Sequence, residues 1–140
     1  MSRWLTVAAL VAGLALAAGC GPPDQRTGTK TLNRAMSKAF KRASAAAYRM
    51  TTNHTWKGIV AYARVHCHPR GGTPKTARHW SCGVLWRRRF QTRKHTATYG
   101  VSVDPRGCFQ AASGNFPARL PERVLGRDAA NPLVHIRSCP

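Results

Sequence analysis

The chain has 140 residues, of which 43% are hydrophobic, and its 23 Lys and Arg outnumber four Asp and Glu, so the formal net charge is +19. This length fits one domain and excludes two once a leader is removed, and four carboxylates are too few for a two-metal catalytic centre. A positive excess this large indicates an anionic partner or environment, such as phospholipid headgroups, wall polymers or nucleic acid.

The first twenty residues have the three parts of an export signal. Met1-Ser2-Arg3 is a short basic start, and residues 4–18 are almost entirely apolar. Small residues then lead to a cysteine in Ala18-Gly19-Cys20. This pattern resembles the signal of bacterial lipoproteins, in which that cysteine becomes the lipidated first residue of the mature protein. The leucine usual three places before the cysteine is replaced by Ala17 here, and Leu16 lies one place further back.

The resemblance implies a signal peptide over residues 1–19, acylation of Cys20 and attachment to the extracytoplasmic face of the cell membrane. Two alternatives stay open: a spanning anchor that is never cleaved, and ordinary secretion after a cut near Ala18 or Gly19. An apolar core of about 15 residues is short of the roughly 20 that a spanning helix needs. Ordinary secretion would leave Cys20 as an unusual free thiol in an exported protein. We therefore expect a lipoprotein.

Residues 20–30 are polar and rich in Gly and Pro, and they show no periodicity. This composition predicts a flexible tether. Eleven residues reach at most about 35 Å. If Cys20 is lipidated, the domain that follows over residues 31–140 must stay close to the membrane.

Residues 31–50 have the periodicity of an amphipathic helix. The residues of the apolar stripe are Leu32, Ala35, Met36, Ala39, Phe40, Ala43, Ala47 and Met50. The basic residues of the opposite side are Arg34, Lys38, Lys41, Arg42 and Arg49. Because the stripe is rich in alanine, we expect it to pack against a sheet. The alternative is a helix that lies on a bilayer.

Alternation of apolar and polar residues predicts strands further along the chain. The predicted strands are residues 57–67, 79–90 and 96–104, with shorter ones at 108–111 and 133–138. The side chains predicted to face the core are Ile59, Ala61, Ala63, Val65 and Cys67, then Trp80, Cys82, Val84, Trp86 and Phe90, then Ala97, Tyr99, Val101 and Val103. Arg88 shares the face of Trp86 and must lie near a strand end or turn outward. Residues 112–131 are irregular, with one helical turn expected over Glu122–Leu125.

The four cysteines after Cys20 indicate two disulfides, because an even count in a small exported domain is typical of a disulfide framework. Three connectivities exist. We favour Cys67–Cys82, which lie at the same end of the predicted hairpin, and Cys108–Cys139, which would fasten the C-terminal segment to the sheet. Each bond is expected to contribute about 3 kcal/mol through the unfolded state.

These elements predict an α+β fold, with one N-terminal helix packed on an antiparallel meander of three to four strands. The order of cysteines and neighbouring residues, Cys67, then Trp80-Ser81-Cys82, then Gly107-Cys108 and Cys139, is similar to that of small uncharacterised secreted actinobacterial proteins. That resemblance implies no activity.

Two chemical alternatives involve histidine. His66-Cys67-His68 with His79 and Cys82 offers five potential zinc ligands, but export favours oxidation of the cysteines over metal binding. A small secreted basic hydrolase acting on phosphodiesters would use two histidines as general acid and base. The candidates are His66, His68, His79, His95 and His135. Their spacing defines no catalytic pair, so we expect no catalytic, metal or cofactor site.

The densest interaction feature is the segment Trp86–His95, in which five of the ten residues are Lys or Arg and aromatic residues flank them. It falls at the turn between the second and third predicted strands. The alternative interpretation is a solvated hairpin tip without a partner. The residues predicted to contact an anionic surface are Arg34, Lys38, Lys41, Arg42, Arg87, Arg88, Arg89, Arg93 and Lys94.

The sequence therefore predicts a non-enzymatic, membrane-anchored lipoprotein whose basic domain contacts wall polymers or lipid headgroups. Nucleic acid is a further potential partner, without sequence specificity. The alternatives are the basic hydrolase and a module that binds an acidic protein.

Overall fold

The computed structural model describes residues 28–52, 60–120 and 129–139. These residues form one helix and five strands: α1 (Thr29–Thr52), β1 (Val60–Pro69), β2 (His79–Arg88), β3 (His95–Val103), β4 (Phe109–Ala112) and β5 (His135–Ser138). The strands make one sheet in the order β1-β2-β3-β4-β5, and each pair of neighbours is antiparallel. The predicted α+β class and meander are confirmed, and the sheet has five strands.

Helix α1 buries the predicted apolar stripe against the inner face of the sheet. Leu32, Met36 and Phe40 are completely buried, and Ala39 and Ala47 are nearly so. The spacing of three and four residues places these side chains on one side of the helix. Within the described ranges, no helix combines the length and the apolar character that a membrane span requires.

Two polar side chains of α1 bind the backbone of the edge strand β1. The Asn33 side-chain Oδ1 accepts a hydrogen bond from the Cys67 N–H at 2.9 Å, and the Ser37 hydroxyl donates one to the Ala63 carbonyl at 3.0 Å. Unpaired backbone groups at a sheet edge invite pairing with another chain, so these bonds protect the edge. The helix contacts both β1 and β5. Because these are the two edge strands, the sheet curls around the helix.

An aromatic cluster fills the space between α1 and the sheet. The Phe40 ring centroid lies 5.8 Å from that of Trp86 and 6.2 Å from that of Tyr99, whose ring it meets edge to face at 82°. Phe116 completes the cluster, because its ring centroid lies 6.4 Å from that of Phe40 and 6.2 Å from that of Tyr99. Such edge and tilted contacts add to the stabilisation that burial of the rings provides. The cluster therefore fixes α1, β2 and β3 relative to one another.

Both predicted disulfides are present. Cys67 and Cys82 are directly opposed in the β1–β2 ladder, and their bond links the two strands. Cys108 and Cys139 flank the β4–β5 pair, in which Phe109 is opposite Ser138. The second bond attaches the C-terminal strand to the sheet, as expected.

Two predicted core positions are wrong. Ala61 is exposed and Val60 is buried in its place, because a register shift between Val60 and Tyr62 reverses the alternation at the start of β1. Phe90 is 82% exposed, because β2 ends at Arg88 and Phe90 lies within the turn that follows, which the Gln91 N–H to Arg88 carbonyl bond closes. The predictions for Ile59 and Glu122–Leu125 lie outside the described residues.

A buried tyrosine connects the sheet to the segment before β5. Tyr99 is completely buried, and its hydroxyl donates a hydrogen bond of 2.7 Å to the Leu133 carbonyl. Burial raises the pKa of the Tyr99 phenol well above its usual value. The folded protein thus keeps this group protonated at a pH where the unfolded chain has released the proton.

We predict that Tyr99→Phe lowers the free energy of unfolding by about 1 kcal/mol near neutral pH, because it removes a buried hydrogen bond and leaves the Leu133 carbonyl unpaired. The stability advantage of the wild type over Tyr99→Phe should shrink as the pH rises above about 10, where the unfolded tyrosine ionises first. Urea unfolding of both proteins across that range measures this difference. Tyr62→Phe, at a half-buried position, is the matched control. A difference between wild type and Tyr99→Phe that stays constant with pH would contradict the assignment.

Candidate anion-binding surface

The described surface has almost no negative charge. Asp104 is the sole carboxylate side chain within residues 28–52, 60–120 and 129–139. It lies 3.4 Å from the Arg106 guanidinium, and one of its oxygens accepts the N–H groups of Arg106 and Cys108 at 2.9 Å. Asp104 thereby shapes the turn between β3 and β4 and offsets a local cation. The rest of the described surface keeps a strong positive potential.

The nine predicted contact residues fall into two groups, and all nine are exposed. Arg34, Lys38, Lys41 and Arg42 lie on α1, on the side away from the sheet. The others lie at the connection between β2 and β3, in a segment of residues 87–94 that we call the hairpin tip. Its cations are Arg87, Arg88, Arg89, Arg93 and Lys94. The helix group is spread along a helix, whereas the hairpin tip concentrates five cations within eight residues.

The hairpin tip projects from a firmly packed base. Trp86 and His95 form the last cross-strand pair of β2 and β3, and their rings stack at a centroid distance of 4.5 Å. Trp86 also contacts Phe40 of the helix, and the Arg88 guanidinium lies 5.6 Å from its ring centroid. Among the described residues, the buried Trp86 Nε1 has no hydrogen-bond partner. This base connects the tip to the protein core.

The turn at the tip holds Phe90 in an unusual backbone conformation. The Gln91 N–H donates to the Arg88 carbonyl at 3.2 Å and closes the turn. Phe90 has a φ of 66°, in the left-handed region that glycine and asparagine adopt most readily. The Arg89 guanidinium lies 5.2 Å from the Phe90 ring centroid. The ring nevertheless stays 82% exposed.

The outer face of the sheet, opposite α1, carries four of the five candidate histidines, and the strand register brings two of them, His68 and His79, close together, whereas His135 lies on the opposite edge strand. His66, His68, His79 and His135 are exposed there. His68 is opposite Ser81, so His79 is its diagonal neighbour on β2, a relation that corresponds to roughly 7–8 Å between backbone positions. The His79 Nδ1 lies 3.2 Å from the Ser102 hydroxyl oxygen. His95 is not part of this group, because it stacks on Trp86 at the hairpin base.

A shallow open concavity of about 350 Å³ lies on the same sheet between β3 and β5. Gly100 and Ala112 form its floor, where small side chains leave space, and His135 and Arg137 are among the longer residues around it. Sequence reasoning missed the concavity and the histidine face because both depend on strand register. The alternation of His66 and His68 about Cys67 was the one available signal.

Within the described ranges, no group of three or more His, Cys, Asp or Glu side chains is arranged to hold a metal ion. Cys67 and Cys82 are joined in a disulfide, so they offer no thiolate. The strand alternation also places His66 and His68 on the face opposite Cys67.

Comparisons with known proteins return no relative: no family model matches the chain, and no curated protein or solved structure is significantly similar to it. A functional proposal must therefore rest on the charges, exposure and packing described above.

We predict that His95→Ala lowers the free energy of unfolding by about 1 kcal/mol, because it removes the ring stacked on Trp86. His68→Ala is the matched control, since His68 is exposed on the outer face and should change stability by less than about 0.5 kcal/mol. Urea unfolding measures both values. Equal effects of the two substitutions would show that the stack does not support the hairpin base.

Proposed function

We propose that this protein is a non-enzymatic lipoprotein of the cell envelope, held at the extracytoplasmic face of the membrane by acyl chains on Cys20. Its basic domain contacts phosphate-bearing polymers or lipid headgroups through the hairpin tip. The observation that supports this most is the arrangement of the tip, where five exposed cations surround one turn on a buried aromatic base. Non-specific contact with nucleic acid would use the same residues.

The free energy of attraction between the tip's cations and an anionic surface is large enough for such a contact. A Lys or Arg close to an anionic membrane surface contributes about 1 kcal/mol of attraction. Five cations at one turn therefore supply enough attraction for binding at low salt, and the attraction weakens as ionic strength rises. The base of the tip is already ordered by packing, so little conformational entropy is lost when it binds.

The predicted tether supports the same function. Helix α1 begins at Thr29 and includes the last two residues of the predicted tether, so a chain fastened at Cys20 keeps the start of the helix within about 30 Å of the bilayer. Under that constraint the effective concentration of headgroups and neighbouring polymers around the domain is high. A weak electrostatic contact is then sufficient to keep the tip at the surface.

The first test measures binding of the mature chain carrying Cys20→Ser to vesicles of phosphatidylglycerol mixed with phosphatidylcholine. We predict that binding is strong at low salt and collapses at high salt, and that it is absent on phosphatidylcholine alone. Two variants with equal charge loss are compared: Arg87→Gln, Arg89→Gln and Arg93→Gln together, and Arg34→Gln, Lys38→Gln and Lys41→Gln together. The hairpin variant should lose on the order of 100-fold in affinity.

The helix variant is expected to lose several-fold less than the hairpin variant. Equal losses would show that net charge, and not the hairpin tip, determines binding. Absence of salt-dependent binding to anionic vesicles and to anionic wall polymer would contradict the proposed function as a whole. Saturable, salt-tolerant binding to an acidic protein would instead support the alternative that this domain is a module that binds such a partner.

A second candidate function is hydrolysis of phosphodiesters, and the histidine face is the observation that favours it. His68 and His79 are diagonal neighbours on this face, and the exposed Arg70 lies beside them, because its N–H donates to the His79 carbonyl at 2.7 Å. A phosphodiesterase would use two such histidines for proton transfer and a nearby cation for the phosphate. The test is cleavage of RNA by the wild type, His68→Ala and His79→Ala. The first proposal predicts no cleavage above background. Cleavage that either substitution abolishes would establish the hydrolase instead.

A further inference from the structure

We propose that the hairpin tip inserts into the interface of an anionic bilayer, with the Phe90 ring entering the boundary between headgroups and acyl chains while the surrounding cations bind headgroups. The inference rests on the proposed function and deepens it, because it names a lipid bilayer as the partner of the tip in preference to a soluble polymer.

Phe90 lies largely in solvent, which is unusual for a phenylalanine in this domain. Its side chain is 82% exposed, and no other large hydrophobic side chain among the described residues is exposed. Leaving a phenylalanine in water forgoes the stabilisation that its burial would provide. The ring contacts the Arg89 guanidinium but leaves most of its surface in water, so an apolar phase would bury area that folding leaves exposed.

The backbone at Phe90 supports the same role. A φ of 66° is strained for a residue with a Cβ atom, and turns with this geometry ordinarily have Gly or Asn at that position. The Gln91 N–H to Arg88 carbonyl bond closes the turn and holds the Phe90 backbone in place. Strained backbone clusters at functional sites, so it supports a role for the tip beyond folding.

The tip also matches the chemistry of a lipid leaflet. Five exposed cations flank the exposed Phe90 within eight residues, and the Arg89 guanidinium lies 5.2 Å from its ring centroid. An anionic leaflet presents phosphates above hydrocarbon, so it complements both the cations and the ring. A soluble phosphate polymer would complement only the cations.

The acyl chains on Cys20 and the Phe90 ring can both reach one leaflet. Asn33 of α1 contacts Cys67, and Phe40 contacts Trp86, so the helix runs toward the tip. Thr29 lies about 17 Å along the helix axis from Phe40, and the two strand residues after Trp86 carry the chain roughly 7 Å further before the turn. The chain from Cys20 to Thr29 spans up to about 30 Å. Acyl chains and Phe90 can therefore enter the same membrane while the domain lies along its surface.

The experiment compares the mature chain carrying Cys20→Ser with its Phe90→Asn and Phe90→Trp variants on phosphatidylglycerol–phosphatidylcholine vesicles. Phe90→Asn removes the ring but keeps a residue that tolerates positive φ, and should lower affinity roughly tenfold without lowering the urea midpoint of unfolding. Phe90→Trp should retain affinity. Its added fluorescence should shift to shorter wavelength on binding and be quenched by brominated acyl chains.

Two further measurements separate this inference from the function on which it rests. Inorganic polyphosphate is the charge-only probe, and Phe90→Asn should bind it as the wild type does. Single-stranded DNA is the probe for base stacking, and a selective loss of DNA binding by Phe90→Asn would overturn the inference in favour of a stacking role. Salt-dependent vesicle binding that is equal for Phe90→Asn and wild type would also overturn it, while leaving the proposed electrostatic function intact.

Discussion

The packing of Phe40 against Trp86 and Tyr99 is the interaction on which the rest of the structure depends. It joins the helix to β2 and to the central strand β3. Because α1 covers the inner face, the alternating residues of each strand are divided into a buried set and a solvent set. The same contact holds the base of the tip, so the position of five cations and Phe90 follows from the hydrophobic core.

The large positive charge of this small domain lowers the stability of its folded state, since like charges repel one another more strongly there than in the expanded chain. Two disulfides oppose this effect, and each contributes about 3 kcal/mol by restricting the unfolded chain. One disulfide joins the two strands of the edge hairpin, and the other holds the C-terminal strand. The sheet edge at β1 is covered by Asn33 and Ser37 of the helix. These constraints therefore offset the repulsion among the exposed cations.

The elements that could be predicted from the sequence are those whose signal is local. The apolar residues of α1 recur at helical spacing over several turns, so its buried face was recognisable. Cys67 and Cys82 flank one loop between two alternating segments, which was sufficient to pair them, and the last two cysteines followed by elimination. The exposure of Arg88 was also predicted, because a cation on an inward face must lie near a strand end.

The features that could not be predicted depend on contacts between distant segments or on a single backbone angle. The register shift after Val60 is a property of the β1–β2 pair and leaves no trace in the composition of β1. Phe90 fits the alternation of β2, and only the turn that closes at Arg88 places it in solvent. The neighbourhood of His68 and His79 requires the register of the hairpin. These are the positions at which the candidate sites differ from the sequence-based expectation.

The whole functional account depends on the chain leaving the cytoplasm and remaining attached to a bilayer. Mass spectrometry of the protein recovered from its native envelope tests this most directly. The account predicts a mature chain that begins at Cys20, carries a diacylglyceryl group on that sulfur, and has its other four cysteines oxidised in two pairs. A chain that retains Met1, or one with an unmodified Cys20, would contradict it.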